Sequence, residues 1–582
     1  MCQNFLYEIK KRITFNNLIF LCELTLLFLG VLATFLQYGH YEKLMGNSAS
    51  RFLLVLGPHL GIGRPYTDLW EFVPPGFLTV ANAWVVLFGW SMISLRFLQI
   101  TLLLVAGTSF LLIIKKIFKT SVLELVIFTS FVTIFYSPIL QSDMLSIETF
   151  GIAFALLGLV SLLYIEKPVW KLALSGALFF LASQMKETFT FSVLALVPYY
   201  VMLLKRYPKL STLRTIALSL LGPFLVVILI IIYLQWSGGW LGYGQILSYK
   251  ITRVQPLGSI GSVVSRIRYV ESLFSENFLH WHGYISSLIV LNLMIAYYFK
   301  LLTIKAGRSV KASYEFLIRI KTNGGFTWID ISGILFSVGI FLGIIMYGQY
   351  SVDTRQIPVV TAFFILIGVL LKAPVSAFNK FMHRRCEMLL TSIILAIVLI
   401  IFVSPQVRLF HIFFHQIKLH ISGELYKNKE SKRFYVRTST YEVTNYIFSR
   451  TSTGDCILNP YGWEVAETYI YSRRKPCSRH FLANLMVQEE WQIEEYKKQV
   501  LDNPPVAILY NTNIIDLDIK DFAKKVIDYE NILKHCYSID NQYQKFPYLI
   551  SGAETKINLY WKREDMDDKQ FKSCFNKYAY KN

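Results

Sequence analysis

Charged residues are scarce in this sequence: Asp, Glu, Lys and Arg together account for 16% of its 582 residues, whereas 54% are hydrophobic. A single water-soluble domain does not have this composition, so one large globular core is excluded. Acidic residues are also few, with 38 Asp and Glu against 58 Lys and Arg. The composition indicates a polytopic membrane protein, and basic loops next to anionic lipid account for its formal net charge of +20.

Several motifs that bind cofactors, metals or nucleic acid are missing from the sequence. There is no Gly-rich loop of the kind that holds nucleotide phosphates, and there is no His-Glu-x-x-His pattern. The pairs His280/His282 and His411/His415 have no third ligand nearby, so we interpret them as interfacial or packing histidines. Basic residues are spread over many loops and form no aromatic-rich face for nucleic acid. We therefore predict no nucleic-acid partner and no cofactor or metal site, although the sequence leaves a divalent metal open.

Long apolar runs, which a bilayer requires, are abundant. A membrane-spanning helix needs about 20 apolar residues. No small-residue cleavage site follows the first run, so we predict that it stays as an anchor and is not a signal peptide. A shorter apolar run at about 171–185 brings the predicted number of spans to eleven. The longer runs lie at about 15–37, 93–114, 121–136, 147–165, 188–204, 214–234, 282–299, 327–347, 355–371 and 386–403.

Lys and Arg residues cluster in every second loop between these runs. By the positive-inside rule, such loops face the cytoplasm. The N-terminus is then cytoplasmic, and both the loop 38–92 and everything after about 404 lie outside. Residues 76–89 are apolar but only fourteen long, so we predict a re-entrant or interfacial helix there, with thirteen spans as the alternative. The basic clusters are Lys10-Lys11-Arg12, Lys115-Lys116 with Lys119, Lys167 and Lys171, Lys205-Arg206 with Lys209, Lys300 through Lys321, and Lys372 through Arg385.

The chain changes character after about residue 404, where apolar runs shorten and charge rises. Segments 453–458 and 504–510 indicate turns that lead into buried strands, and 489–501 has helical spacing. We predict a membrane domain at 1–403, with its first external loop at 38–92, and a soluble extracytoplasmic α/β domain at 404–582. Two disulfides in any of three connectivities, or free thiols, are both open for the four cysteines of the second domain. These are Cys456, Cys477, Cys536 and Cys574.

The segment 61–76 is a polar loop between apolar runs that holds two carboxylates, one Arg and a turn-forming Pro-Pro-Gly. Carboxylates beside a bilayer are costly unless they are paired or hydrated, so they are candidates for a functional role. Such a group can take a proton as a catalytic base. The alternatives are that Asp68 caps the following turn and that Glu71 is a solvated interfacial side chain. The candidate bases are Asp68 and Glu71 in the loop, and Asp143 and Glu148 beside the third and fourth spans.

Cationic side chains on the predicted outer side are candidates for binding a phosphate. Lys186 stands out because the polar segment 184–187 interrupts two apolar runs where topology requires no charge. Its alternatives are snorkelling to the interface or pairing with Glu187. Arginine suits phosphate through bidentate hydrogen bonds, although Arg355 has Asp353 nearby as an alternative partner. The full set is Arg64, Arg96, Lys186, Arg253, Arg266, Arg268 and Arg355.

A motif in the polar loop resembles a known family. It reads Gly63-Arg64-Pro65-Tyr66-Thr67-Asp68, with Glu71 three residues later and then Pro74-Pro75-Gly76. This pattern resembles that of the GT-C membrane glycosyltransferases of the protein O-mannosyltransferase and lipid A aminoarabinose transferase type. The resemblance continues at 87–96, 137–148, 174–186 and 446–476, so it covers nearly the whole chain.

The resemblance implies a GT-C-like fold of about 11–13 transmembrane helices and an inverting hexosyl or pentosyl transferase that depends on a polyprenyl-phosphate sugar. The sugar would pass from this lipid-linked substrate to a lipid, glycan or protein acceptor at the outer face of the plasma (inner) membrane. Tyr66 is carried over from the Pro-Tyr pair as a substrate-binding residue. A carboxylate would take the acceptor proton, and cations would stabilise the phosphate that leaves.

Two positions depart from the family's pattern. The early acid of the first loop is replaced by the stretch 46–51, which contains no acid, and the Lys before Pro-Pro is Val73. Either Asp68 or Glu71 takes over the role of the base, or Glu42 is the shifted acid. The remaining options are a different acceptor or lost activity.

Two other function classes stay open. A transporter or flippase of a lipid-linked or polar substrate is one, but the sequence shows no internal repeat of the kind common in secondary transporters. The charged residues gather at one face, and a sizeable external domain follows, which suits surface chemistry better. A catalytically inactive GT-C-like partner protein is the other class, because the early acid is missing.

Overall fold

The computed structural model describes twelve stretches of the chain, namely residues 15–37, 47–118, 122–136, 146–206, 209–249, 327–347, 356–381, 441–460, 465–481, 489–510, 526–550 and 553–579. The chain divides into two compact units. The first unit comprises 1–39, 99–228 and 257–417, and the second comprises 40–98, 229–256 and 418–582.

Helices dominate the described residues before 382, because long apolar runs satisfy their backbone hydrogen bonds internally only as helices when lipid surrounds them. In chain order they are α1 Phe15–Gln37, α2 Asn47–Leu60, α3 Pro75–Phe88, α4 Met92–Phe118, α5 Val122–Phe135, α6 Ile147–Tyr164, α7 Pro168–Met185, a 3₁₀ helix Glu187–Leu196, α8 Val197–Arg206, α9 Lys209–Ser219, α10 Leu221–Ser237, α11 Trp240–Tyr249, α12 Trp328–Tyr347 and α13 Gln356–Phe381.

Five helical stretches of the described chain are long and apolar enough to cross a membrane. Each coincides with a predicted span to within a few residues. The predicted spans at 282–299 and 386–403 lie outside the described residues. The five stretches are Met92–Ile117, Ile147–Tyr164, Glu187–Lys205, Arg214–Ser237 and Trp328–Ile345.

Small residues allow close helix contact inside the first unit. A Cβ atom on Gly343 of α12 would lie 1.8 Å from the backbone oxygen of Thr188, and one on Gly339 would lie 2.1 Å from that of Phe191. The two glycines are one turn apart, so they form one face of α12 against the 3₁₀ helix. Close backbone approach at small residues is the usual basis of helix packing in membranes.

Two short helices flank the polar loop in the second unit. Helix α3 occurs where the fourteen-residue apolar segment predicted a helix; it begins with Pro75 at its first position and ends at Gly89, whose φ is +98°. Helix α2 was not predicted. Its residues 52–56 are all buried, and an apolar run of that length is too short to indicate a span.

The C-terminal part of the second unit is a mixed sheet with helices, which confirms the predicted α/β class. Its strands are β1 Cys456–Leu458, β2 Lys475–Pro476, β3 Ala507–Tyr510, β4 Tyr537–Ile539, β5 Phe546–Ile550 and β6 Ala553–Lys562. The order is β2-β1-β3-β6-β4, with β5 paired to the first half of β6. The pairs β2-β1 and β1-β3 are parallel, whereas β6 runs antiparallel to its neighbours. The helices are α14 Val465–Ser472, α15 Glu490–Asp502, α16 Tyr529–Cys536 and α17 Asp568–Tyr578, and residues 441–450 are also helical.

All four cysteines of this region form disulfides, Cys456 with Cys477 and Cys536 with Cys574. One of the three possible connectivities is therefore realised, and the free-thiol alternative is not. The first bond links β1 to the residue that follows β2, and the second links α16 to α17. The closed loops span 21 and 38 residues, for which loop-closure entropy gives about 3 and 4 kcal/mol of stabilisation.

Candidate functional site

Residues 61–74, which we name the acidic loop, connect α2 to α3 in the second unit. The carbonyl oxygen of Arg64 accepts hydrogen bonds from the backbone N–H groups of Asp68 and Leu69, at 2.9 and 3.1 Å, which folds 64–69 into a tight turn. Tyr66 has a φ of +66°, which is uncommon for a residue other than glycine. Its hydroxyl donates to the carbonyl oxygen of Val73 at 2.6 Å, and the side chain is fully buried. The buried Tyr66 side chain thus links the turn to the end of the loop and stabilises the loop conformation.

Asp68 and Arg64 interact within this turn. The Oδ2 atom of Asp68 accepts a hydrogen bond from the Arg64 backbone N–H at 2.9 Å and lies 3.6 Å from Arg64 Nε. Asp68 therefore closes the turn that precedes it, whereas the alternative interpretation had it cap the turn that follows. About half of each side chain is exposed, so this carboxylate and this guanidinium both remain accessible to a substrate.

Glu71 has a different environment, because it is 4% exposed. Ser50 Oγ donates to its Oε1 at 3.0 Å, and Oε2 has no hydrogen-bond partner within the described stretches. Burial raises the pKa of Glu71 to about 7, although the charge of Arg51 and the Ser50 hydrogen bond act in the opposite direction. Glu71 is thus a buried carboxyl group that changes charge near neutral pH, and not a solvated interfacial side chain.

The partners of Glu71 come from the stretch that the family resemblance singled out. Ser50 and Arg51 belong to residues 46–51, where the resemblance predicts an acid and the sequence has none. The fold brings the Glu71 carboxyl group to this stretch from 21 residues further along the chain. Sequence reasoning missed both partners, and the only signal for them was the missing acid itself.

Helix α11 and the two glycines before it pack against the turn. The hydroxyl of Thr67 donates to the carbonyl oxygen of Gly238 at 3.3 Å. A Cβ atom on Gly242 would lie 2.2 Å from the carbonyl oxygen of Tyr66, so only glycine permits this approach. These glycines therefore fix the loop by close packing.

Two other predicted site residues meet inside the first unit. Ser146 accepts a hydrogen bond from the Thr149 N–H at 3.0 Å and caps α6, which places Glu148 in the first turn, where the helix dipole favours an acid. Lys186 follows the last residue of α7. Their side chains form an ion pair, with 5% of Glu148 and 13% of Lys186 exposed. A candidate base and a candidate phosphate ligand are therefore partners of each other.

Sequence comparison gives no relative, since neither a protein-family model nor a curated protein matches the chain. Among solved structures, it is similar to ArnT from Cupriavidus metallidurans, a lipid A aminoarabinose transferase solved bound to undecaprenyl phosphate, with a TM-score of 0.51 and 10% identity over 93% of this chain and 98% of that chain. The chain has a GT-C fold. The archaeal oligosaccharyltransferase AglB from Archaeoglobus fulgidus, in complex with an inhibitory peptide and a dolichol-phosphate, is also similar, at a TM-score of 0.45 and 10% identity over 94% of this chain and 75% of that chain.

The GT-C fold confirms the predicted architecture, in which a helical membrane protein carries a small C-terminal α/β domain. The protein is accordingly an integral membrane protein. Identity of 10% extends the likeness to the fold alone. The chemistry of the site must therefore be argued from its own residues.

The remaining candidates are placed as follows in the GT-C fold. The Arg96 guanidinium lies 5.3 Å from the centre of the Phe52 ring, so α4 contacts α2 through it. Asp143, Arg253 and Arg355 lie outside the described residues, as do Arg266 and Arg268. Within the described stretches, no group of three or more His, Cys, Asp or Glu side chains could hold a metal ion. The prediction of no cofactor stays a prediction.

Proposed function

We propose that this protein transfers a glycosyl group from a polyprenyl-phosphate donor to a lipid, glycan or protein acceptor at the outer face of the plasma membrane. The GT-C fold supports a glycosyltransferase, and a protein with the same fold binds undecaprenyl phosphate. The observation that carries the proposal is Glu71, a buried carboxyl group with a pKa of about 7 beside the acid-free stretch 46–51.

The proposed reaction needs one base and one stabilised leaving group. The acceptor hydroxyl attacks the anomeric carbon, its proton passes to a carboxylate, and the bond from that carbon to the phosphate oxygen breaks with inversion. The polyprenyl phosphate leaves with the electron pair. A base works best when its pKa lies near the operating pH, which favours Glu71 over a carboxylate of ordinary acidity.

Access to the base sets a further requirement. Ser50 occupies the Oε1 atom of Glu71, so the acceptor would approach Oε2. Because Glu71 is 4% exposed, this approach requires the side chains that cover Oε2 to move when substrate binds. Asp68 is accessible without such a movement and is the alternative base.

For the donor phosphate, we retain Arg64 of the second unit, which also contains Glu71, as a proposed ligand, and Lys186 of the first unit as the alternative. Lys186 carries a cation at the end of an apolar helix and holds an anionic partner, Glu148. A phosphate could replace that carboxylate as its partner. Arg64 is half exposed and presents a guanidinium, which matches phosphate geometry.

Transfer assays in lipid nanodiscs with polyprenyl-phosphate sugars test the proposal. Glu71→Gln preserves shape and removes the proton acceptor, so we expect turnover to fall about 10²- to 10⁴-fold. Asp68→Asn should change it by much less, and Glu494→Gln on the exposed side of α15 is the matched control. Full activity in Glu71→Gln with loss in Asp68→Asn would transfer the role to Asp68.

An inactive partner protein is the second candidate function. Val73 in place of the family's Lys, and the absence of an acid from 46–51, favour it. Such a protein would bind a polyprenyl phosphate but would show no transfer with any sugar donor. Binding without turnover in the unmodified protein would therefore reject the enzyme proposal and support this one.

A further inference from the structure

Trp70, the residue before Glu71, is buried among other side chains of the second unit. It is fully buried, and its ring centre lies 4.6 Å from the guanidinium carbon of Arg479, 5.4 Å from the ring of His480 and 5.7 Å from that of Trp491. Its backbone N–H also donates to the carbonyl oxygen of Arg479 at 2.8 Å. The side chain and the backbone of Trp70 are thus fixed by the same short segment.

That segment is itself held by helix α15. The Oε2 atom of Glu495 lies 2.7 Å from Arg479 Nη2 and 2.9 Å from His480 Nε2. Gln499, one turn later on the same helix, accepts a hydrogen bond from the Arg479 N–H at 3.0 Å and donates to Glu495 Oε1 at 3.2 Å. One face of α15 therefore sets the position of Arg479 and His480, and the same helix supplies Trp491, the third residue in contact with Trp70.

A covalent bond anchors the segment at its other end. Cys477 lies two residues before Arg479 and is bonded to Cys456 in β1. The intervening Ser478 hydroxyl donates to Gln499 Oε1 at 2.7 Å. The stretch 477–480 is therefore tied to both the sheet and α15, and it is a rigid support for whatever packs on it.

We propose that residues 477–480 act as a clamp that positions the acidic loop, so that Arg479, His480 and Trp70 are positioning residues for Glu71. The contacts stand independently of any reaction, whereas the effect on turnover rests on the proposed function. A shift of about 1 Å in a reacting group can cost about 10²-fold in rate, so a support of this kind matters even though it touches no substrate.

A loosened clamp has a distinctive effect that ordinary destabilisation would not produce. Burial keeps the Glu71 pKa at about 7 instead of the ordinary 4.5. If the loop opens, water reaches the carboxyl group and its pKa falls toward the ordinary value. The acid limb of the pH–rate profile should then move to lower pH in clamp variants while the fold persists.

The experiment compares full-length variants in nanodiscs by hydrogen–deuterium exchange and by kinetics. Arg479→Ala and Trp70→Ala should raise exchange of residues 61–74 at least about tenfold, lower kcat about 10²-fold with little change in KM, and shift the acid limb down. Arg479→Lys and Trp70→Phe should restore part of each effect. Peptides from 328–347 in the first unit should exchange as in the unmodified protein.

The two disulfides supply a matched pair of variants. Cys456→Ser with Cys477→Ser removes the anchor of the clamp and should reproduce the loss of protection in the loop. Cys536→Ser with Cys574→Ser removes a bond from the same region that involves none of residues 477–480, so protection of 61–74 should stay close to that of the unmodified protein.

Unchanged protection of 61–74 in both Arg479→Ala and Trp70→Ala would overturn the clamp. Failure of the proposed function is recognised separately. If the unmodified protein shows no transfer, or if Glu71→Gln retains full activity, the enzyme or the base assignment is wrong, while the exchange data still decide whether 477–480 positions the loop.

Discussion

The buried ion pair between Lys186 and Glu148 offers the sharpest test of the first unit. We consider Lys186→Met, which keeps the length of the side chain and removes its charge. Only 5% of Glu148 is exposed, so the change leaves a carboxylate inside the protein without this cation. Removing one partner of a buried pair typically costs about 3–5 kcal/mol in the free energy of unfolding. That range corresponds to about a 10²- to 10⁴-fold fall in the ratio of folded to unfolded protein.

A second change separates packing from phosphate binding. Adding Glu148→Gln to Lys186→Met removes both charges and preserves shape, so most of the lost stability should return. Donor affinity should not return if Lys186 binds phosphate, because a charge-assisted hydrogen bond contributes about 1.5–3 kcal/mol, or about 10- to 100-fold in Kd. Lys167→Met, at an exposed position one helix length away, is the control and should change stability by less than about 0.5 kcal/mol.

The assay measures Tm in nanodiscs together with binding of undecaprenyl phosphate to each variant. The expected pattern is a low Tm for the single variant, a near-normal Tm for the double variant and weak binding in both. A double variant that binds the lipid phosphate as tightly as the unmodified protein would remove Lys186 from the phosphate site. A single variant with unchanged Tm would refute the stabilising role of the pair.

Two further outcomes follow from the second unit. Burial lowers the pKa of His480 despite its hydrogen bond to Glu495, so the folded state favours the neutral ring. The resulting contribution to the free energy of unfolding is complete above the unfolded pKa of about 6.5 and is lost as the pH falls below it. Tm should therefore drop more between pH 7 and 5 in the unmodified protein than in His480→Gln, and equal drops would contradict this. Gly242→Ala should abolish transfer and loosen the acidic loop, because the new Cβ atom would collide with the Tyr66 carbonyl oxygen. Gly244→Ala is the control: its Cβ atom would point into open space, so transfer should be unchanged and Tm unchanged or raised.

The parts of the fold that the sequence predicts are those with strong local signals. An apolar run of about 20 residues has few other solutions in a membrane, so α4, α6 and α12 could be placed closely. Helix α2 could not, since its buried apolar core of residues 52–56 is short and is followed by Pro58 inside the helix. The disulfide pairing also could not be chosen, because the closure cost depends only weakly on loop length.

In the candidate site, too, local contacts could be predicted from the sequence, whereas contacts between distant residues could not. The contact between Asp68 and Arg64 spans four residues and is local, and a turn-capping role for Asp68 was among the alternatives, although for the turn that follows it. Glu71 meets Ser50, and Lys186 meets Glu148, over separations of 21 and 38 residues that only tertiary packing brings together. The sequence identified these carboxylates and this lysine as costly charges near a membrane, but it carried no information on which partners neutralise them.

The support of Trp70 by Arg479 also has a consequence for how the protein is made. During translation the acidic loop is synthesised early, whereas residues 477–480, which support it, are synthesised only after the helices up to α13. The loop therefore gains its contacts with residues 477–480 only late in translation, and the segment has its full set of links only once Cys456 and Cys477 are bonded. We therefore expect the environment of the Glu71 carboxyl group to be complete only after residues 477–480 have been synthesised and the Cys456–Cys477 bond has formed.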